Sequence, residues 1–139
     1  MQANGLIDTG AILALLDADD RWHDRCREAF ASLRLPLATT AAILAEVFHL
    51  LGDHPRDVAA AWRFLRSGAV CLLPITDADS SALEGLMKQY GDRPMDFADA
   101  TLVRIAEREA LPTILTIDHA DFETYRIGKR TRFRIVPAR

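Results

Sequence analysis

The sequence predicts an α/β domain with a mostly parallel sheet. Three observations carry that prediction. Short apolar runs recur along the chain and read as buried strands. The stretches between them have helical spacing, with capping residues in front and glycines behind. Strand and helix signals alternate from one end to the other, which is the pattern of crossover units.

The elements follow in order. Leu6-Ile7 is a short apolar run that stops at Asp8, and Thr9-Gly10 turns the chain into an apolar helix from Ala11. Residues 22–34 place Cys26, Ala29, Phe30 and Leu33 on one helical face. Pro36-Leu37-Ala38 is a brief strand. Thr39 or Thr40 caps the next helix, Ala41 to Leu51, which ends at Gly52. Pro55 suits the first turn of another helix reaching about Ser67, with Gly68 as its stop. Residues 70–73 form a third strand before Pro74, and Thr76 or Asp77 caps a helix to about Tyr90. Asp96 caps a helix from Phe97 to about Ala110. Residues 113–117 are rich in β-branched side chains and form a strand ending at Asp118. Asp121-Phe122 makes one short turn, and residues 133–136 form an edge strand before Pro137.

Composition bounds the rest. The 139 residues are 50% hydrophobic and 27% charged, which fits one globular domain over 1–139 and excludes a disordered or fibrous chain. The net charge of −3 is not that of a generic nucleic-acid coat. That average hides a split: residues 126–139 carry +6, and residues 1–125 carry −9. Cys26 and Cys71 lie in no zinc-type cluster, and Cys71, within an apolar run, reads as a buried thiol. No apolar run is long enough to span a membrane, and the N-terminus lacks the charged and apolar regions of a signal peptide. A reducing, cytoplasmic setting without membrane contact is expected.

In open parallel sheets, sites form beyond the carboxyl ends of the strands. Asp8 and Asp118 each follow a strand directly, so both fall at that edge. Asp96 and Asp99 open a helix that feeds the second of these strands, and its start lies at the same edge. Glu46 sits about two turns inside a helix among apolar neighbours, so it must be paired, exposed or bound to a cation. Converging carboxylates would hold on to protons unless a cation compensated them. Oxygen ligands of this kind suit Mg²⁺ or Mn²⁺. Such a site suits phosphodiester hydrolysis by a metal-activated water. Each acid alone also has an ordinary reading: Asp8 as a turn or cap, Asp96 as an N-cap, Asp121 as a cap, Glu46 on a solvated face. It is their joint placement that points to a site.

Other chemistries lack their parts. Glu46 and His49 make a single Glu-x-x-His unit, where a di-iron bundle needs two. Gly10 stands where a haloacid-dehalogenase-like phosphatase needs a second Asp. There is no Gly-x-Ser-x-Gly elbow and no Gly-rich phosphate loop.

With these residues in view, the chain resembles PIN-domain proteins and is most similar to VapC-type toxin ribonucleases. The carriers are Ile7-Asp8-Thr9-Gly10-Ala11, Glu46 in Ala45-Glu46-Val47, Asp96-Phe97-Ala98-Asp99-Ala100, and Leu115 to Phe122 with Asp118 and Asp121. The resemblance implies a three-layer α/β/α domain and a Mg²⁺- or Mn²⁺-dependent endoribonuclease with one or two ions. It also implies a cognate antitoxin and a homodimer. It carries the metal and catalytic roles onto Asp8, Glu46, Asp99 and Asp118. Asp121 is an alternative fourth ligand, and Asp96 is a supporting acid or helix cap. Thr9 and Thr116 are candidates for orienting a carboxylate or water. An acid cluster repels RNA, so the basic tail is expected to hold the substrate through Arg126, Lys129 and Arg130, with Tyr125 stacking a base. Two rival readings are a PIN-like domain that binds RNA or a partner without cleaving, and an RNA-processing nuclease without an antitoxin.

Overall fold

Both residues of β1 (Leu6–Ile7) are completely buried, as happens to a strand covered by helices on its two faces. The chain continues through α1 (Thr9–Leu16), α2 (His23–Ser32), β2 (Leu37–Thr39), α3 (Ala41–Leu51), α4 (Pro55–Leu65) and β3 (Val70–Leu72). A 3₁₀ turn (Asp77–Asp79) leads into α5 (Ser80–Gln89), α6 (Phe97–Glu109), β4 (Thr113–Leu115), α7 (His119–Thr124), β5 (Arg126–Ile127), β6 (Thr131–Arg132) and β7 (Arg134–Val136). These elements come from a computed structural model that describes residues 2–93 and 95–139. Of the single domain expected over 1–139, positions 1 and 94 lie outside the described residues.

Five strands form the central sheet in the order β3-β2-β1-β4-β7, and every pairing is parallel. β2 and β4 are buried along their whole length, like β1, so the sheet is the middle of an α/β/α sandwich. The chain runs from β1 outward to β2 and β3, then returns to place β4 on the other side of β1. The point where the order reverses lies between β1 and β4, and ligand crevices open there in such sheets.

Local chemistry explains the boundaries. Thr40, not Thr39, caps α3: its Oγ1 accepts the Ile43 N–H at 3.3 Å, while Thr39 is still in β2. Asp96 caps α6 by accepting the Asp99 N–H at 2.8 Å. The helix expected after Thr76 begins as a 3₁₀ turn closed by a capping box, in which Asp79 Oδ2 accepts the Thr76 N–H at 3.0 Å. Asp79 is buried, and its carboxylate also accepts from Arg104 Nε at 2.8 Å and Arg108 Nη1 at 2.9 Å, both on α6. Arg108 also reaches the Pro74 carbonyl. This network ties the start of α5 to α6, the helix that carries Asp99.

Four sequence expectations change. The strand expected over 113–117 ends at Leu115, and α7 is a full helix rather than a single turn. The basic segment after Tyr125 contains an unexpected antiparallel hairpin, β5–β6, turning at Gly128 with φ +65. Cys26 is the fully buried thiol, whereas Cys71 is half-buried on an outer strand. Among the described residues, no helix is long and apolar enough to cross a membrane.

Candidate active site

Asp8 is the first residue beyond β1, and its N–H donates to the Leu115 carbonyl of β4 at 3.1 Å. It also caps α1, with Oδ1 accepting the Thr9 N–H at 2.8 Å. Oδ2 accepts the Thr116 hydroxyl at 3.0 Å, so the two strand ends at the reversal point are joined through this carboxylate. The same Thr116 oxygen accepts the Asp118 N–H at 3.0 Å. Gly10 permits the close approach: a Cβ there would lie 2.8 Å from Ile117 Cγ1, nearer than side chains pack.

The other acids arrive on helices. Asp99 stands in the first turn of α6, and its Oδ2 accepts the Tyr125 hydroxyl at 2.9 Å. Glu46 projects from α3, which starts where β2 ends. A pocket at the carboxyl edge of the sheet is lined by Asp8, Glu46, Asp96, Asp99, Asp118 and Asp121, together with Thr9, Gly10 and Leu50. All six acids singled out from the sequence therefore meet in one place.

Crowding is visible in their protonation. Burial pushes the Asp8 carboxyl up to about 6, with Asp118 and Glu46 adding to the rise and the Thr9 and Thr116 hydrogen bonds opposing it. Asp99 is pushed up to about 8, first by burial and then by Asp8 and Asp96, against the bond from Tyr125. Asp118 is also raised, first by packing around its carboxyl and then by Asp121. Arg93 faces this cluster at its rim: Nε donates to Asp121 Oδ1 at 2.9 Å and Nη1 to Thr124 Oγ1 at 3.0 Å.

A pocket of oxygen donors with excess negative charge fits a hard divalent cation. The Thr9 hydroxyl adds to that fit, being buried in the pocket lining with no hydrogen-bond partner among the described residues. Among the described residues, no three His, Cys, Asp or Glu side chains are already drawn together as a finished ligand set. It is the backbone N–H of Thr9, not its hydroxyl, that holds Asp8.

The tail requires a correction. Tyr125 is fully buried, edge-on to Tyr90 and Phe122, so no ring face is free to stack a base. The burial arises because Tyr125 ends α7 and turns its ring into the core. Arg126 is half-buried, and its Nη1 donates to the carbonyls of Glu123, Thr124 and Tyr125 at the end of α7. Lys129 and Arg130 are exposed at the hairpin turn. Sequence reasoning did not find Arg93, because an arginine in a polar turn carries no pattern that aims it at Asp121, 28 residues away. Nor did it find the Tyr125–Asp99 bond, since nothing local brings residues 26 apart together.

The fold and the pocket define a class: a parallel α/β/α domain with a carboxylate pocket at the reversal point of its sheet. The PIN-domain family model matches residues 5–128, and the chain belongs to that family. The chain is 31% identical over 134 residues to ribonuclease VapC26 of Mycobacterium tuberculosis (strain ATCC 25618 / H37Rv), covering 95% of this chain and 99% of that protein. Among solved structures, it is similar in fold to the sarcin-ricin loop cleaving toxin VapC20 of Mycobacterium tuberculosis. That match has a TM-score of 0.73 and 22% identity, covering 82% of this chain and 89% of the other. It is also similar to a chain of FitAB bound to an IR36 DNA fragment, with a TM-score of 0.60 and 19% identity, covering 84% of this chain and 87% of that one.

Proposed function

We propose that this chain is a divalent-metal-dependent endoribonuclease, and the toxin of a toxin–antitoxin pair. The observation that carries this reading is the six-acid pocket at the β1–β4 reversal point, in a PIN-family chain 31% identical to a protein named a ribonuclease. Asp8, Glu46, Asp99 and Asp118 would hold one or two Mg²⁺ or Mn²⁺ ions. When bound, such an ion polarises a phosphate oxygen and makes a water more acidic.

The chain's own groups do the rest. The Thr9 N–H and the Thr116 hydroxyl fix the two oxygens of Asp8. Asp96 caps the helix that carries Asp99. Water attacks the phosphorus in line, a pocket carboxylate takes its proton, and the 3′-oxygen leaves as an alkoxide that takes a proton from solvent. The products are a 5′-phosphate and a 3′-hydroxyl. Lys129 and Arg130, exposed on the β5–β6 hairpin that is tied to Glu107 in the last turn of α6, supply positive charge to the RNA backbone beyond the acidic pocket.

Residues 1–139 act as one nuclease domain in a cytoplasmic setting. Its partners are RNA, a second copy of the chain, and an antitoxin that blocks the pocket. Incubating labelled RNA with the protein in Mg²⁺, with and without EDTA, tests the reading. Internal cleavage that EDTA abolishes supports it. Binding without cleavage in Mg²⁺ and in Mn²⁺ would favour a non-cleaving RNA-binding domain.

A further inference from the structure

The hydroxyl of Tyr125 donates to Oδ2 of Asp99 across 2.9 Å. The ring beneath it has no freedom. It is fully buried, with Tyr90 at 5.1 Å between centroids and Phe122 at 5.2 Å, both edge-on. The backbone is held on both sides as well. The Tyr125 N–H donates to the Asp121 carbonyl at 2.9 Å, and the next N–H, that of Arg126, donates to the Tyr90 hydroxyl at 2.9 Å.

A phenylalanine would fill the same aromatic niche. The hydroxyl is therefore not there for packing, since burying one without a partner costs stability. Its partner is a carboxylate of the pocket. The bond takes a lone pair of Oδ2, and among the described residues Oδ1 of Asp99 accepts no hydrogen bond. Groups that hydrogen-bond a ligating carboxylate orient it and tune its affinity.

We infer that Tyr125 is a positioning residue that holds the Asp99 carboxylate in the rotamer needed to ligate a divalent cation. The inference rests on the metal-dependent reading proposed above. Tyr125 touches neither substrate nor ion; it acts through Asp99. It also directly precedes β5, whose first residue, Arg126, donates its N–H to the Tyr90 hydroxyl.

The test is Mn²⁺ binding to the full chain, followed by electron paramagnetic resonance of the free ion. It compares wild type, Tyr125→Phe, Asp99→Asn, the double variant and Asp8→Asn, with melting in EDTA as the fold control. Tyr125→Phe is expected to stay folded in EDTA, melting at most a few degrees below wild type, and to bind Mn²⁺ about tenfold more weakly. In the Asp99→Asn background the same change is expected to alter affinity by less than about twofold, because the two residues act as one unit. A role in packing alone would weaken both backgrounds equally and would overturn the inference. Wild-type affinity in Tyr125→Phe, with Asp8→Asn weakened, also overturns it while leaving the metal site standing. A wild-type chain that takes up no Mn²⁺ overturns the metal reading and the role of Tyr125 together.

Discussion

The Thr116 hydroxyl donates to Oδ2 of Asp8 at 3.0 Å while its oxygen accepts the Asp118 N–H at the same distance. One side chain thus fixes an acid at the end of β1 and the turn that presents an acid after β4. Thr116→Val keeps the branched shape and removes both bonds. It is expected to lower divalent-ion affinity or cleavage rate by about 10–100-fold, the usual cost of losing a group that orients a ligand. Isothermal titration with Mn²⁺ and a cleavage time course measure the two quantities.

Asp118 and Asp121 both line the pocket, but their surroundings differ. Asp121 is already paired with Arg93 at 2.9 Å, so its charge is compensated within the protein. Asp118 has no ion pair among the described residues and leans on Asp121. Asp118→Asn is therefore expected to cost at least about tenfold more in cleavage rate than Asp121→Asn. Equal losses would mean that both carboxylates serve the reaction alike.

The acid cluster sets a pH dependence for the metal-free protein. Asp8 and Asp99 are raised in the folded state to about 6 and about 8, above the ordinary carboxylate value of 3.8. A raised acid favours folding while it is protonated, and that contribution is lost as pH climbs through the folded value. Melting temperature in EDTA is thus expected to fall from about pH 5 to about pH 9. Mg²⁺ is expected to restore more at the alkaline end, where the carboxylates are charged and free to bind it. Scanning fluorimetry across that range checks both trends.

The exposed hairpin turn offers a separate handle on RNA. Neutralising Lys129 and Arg130 together, by Lys129→Ala and Arg130→Ala, is expected to weaken RNA binding by the Asp8→Asn protein. It should also reduce the slope of log K against log salt by about 1.4, at about 0.7 per phosphate contact on a single strand. An unchanged slope would assign the hairpin to a partner protein or to the protection of a sheet edge.

Much of this site could be read from sequence because it follows from topology. Strands ending at Asp8 and Asp118, and a helix starting at Asp96, must share an edge if the strands are parallel, and the pocket collects all of them. What the sequence could not reveal depends on packing between distant segments. Tyr125 reads as an exposed aromatic in a basic tail, yet α7 turns it into the core against Tyr90 and Phe122. The hairpin escaped notice because strands of two residues show no periodicity. Asp79 reads as part of a helix start, and it does bond the Thr76 N–H locally; its ion pairs with Arg104 and Arg108 come from another helix.

The central claim is that the pocket's carboxylates cleave RNA with a divalent cation, and Asp8 is the acid most tightly built into it. The decisive measurement is cleavage of labelled RNA in Mg²⁺ by Asp8→Asn, alongside wild type, with circular dichroism to confirm the fold. The account predicts a folded variant whose cleavage drops at least about 100-fold, with RNA binding retained. Wild-type cleavage by folded Asp8→Asn, still dependent on Mg²⁺, would contradict it.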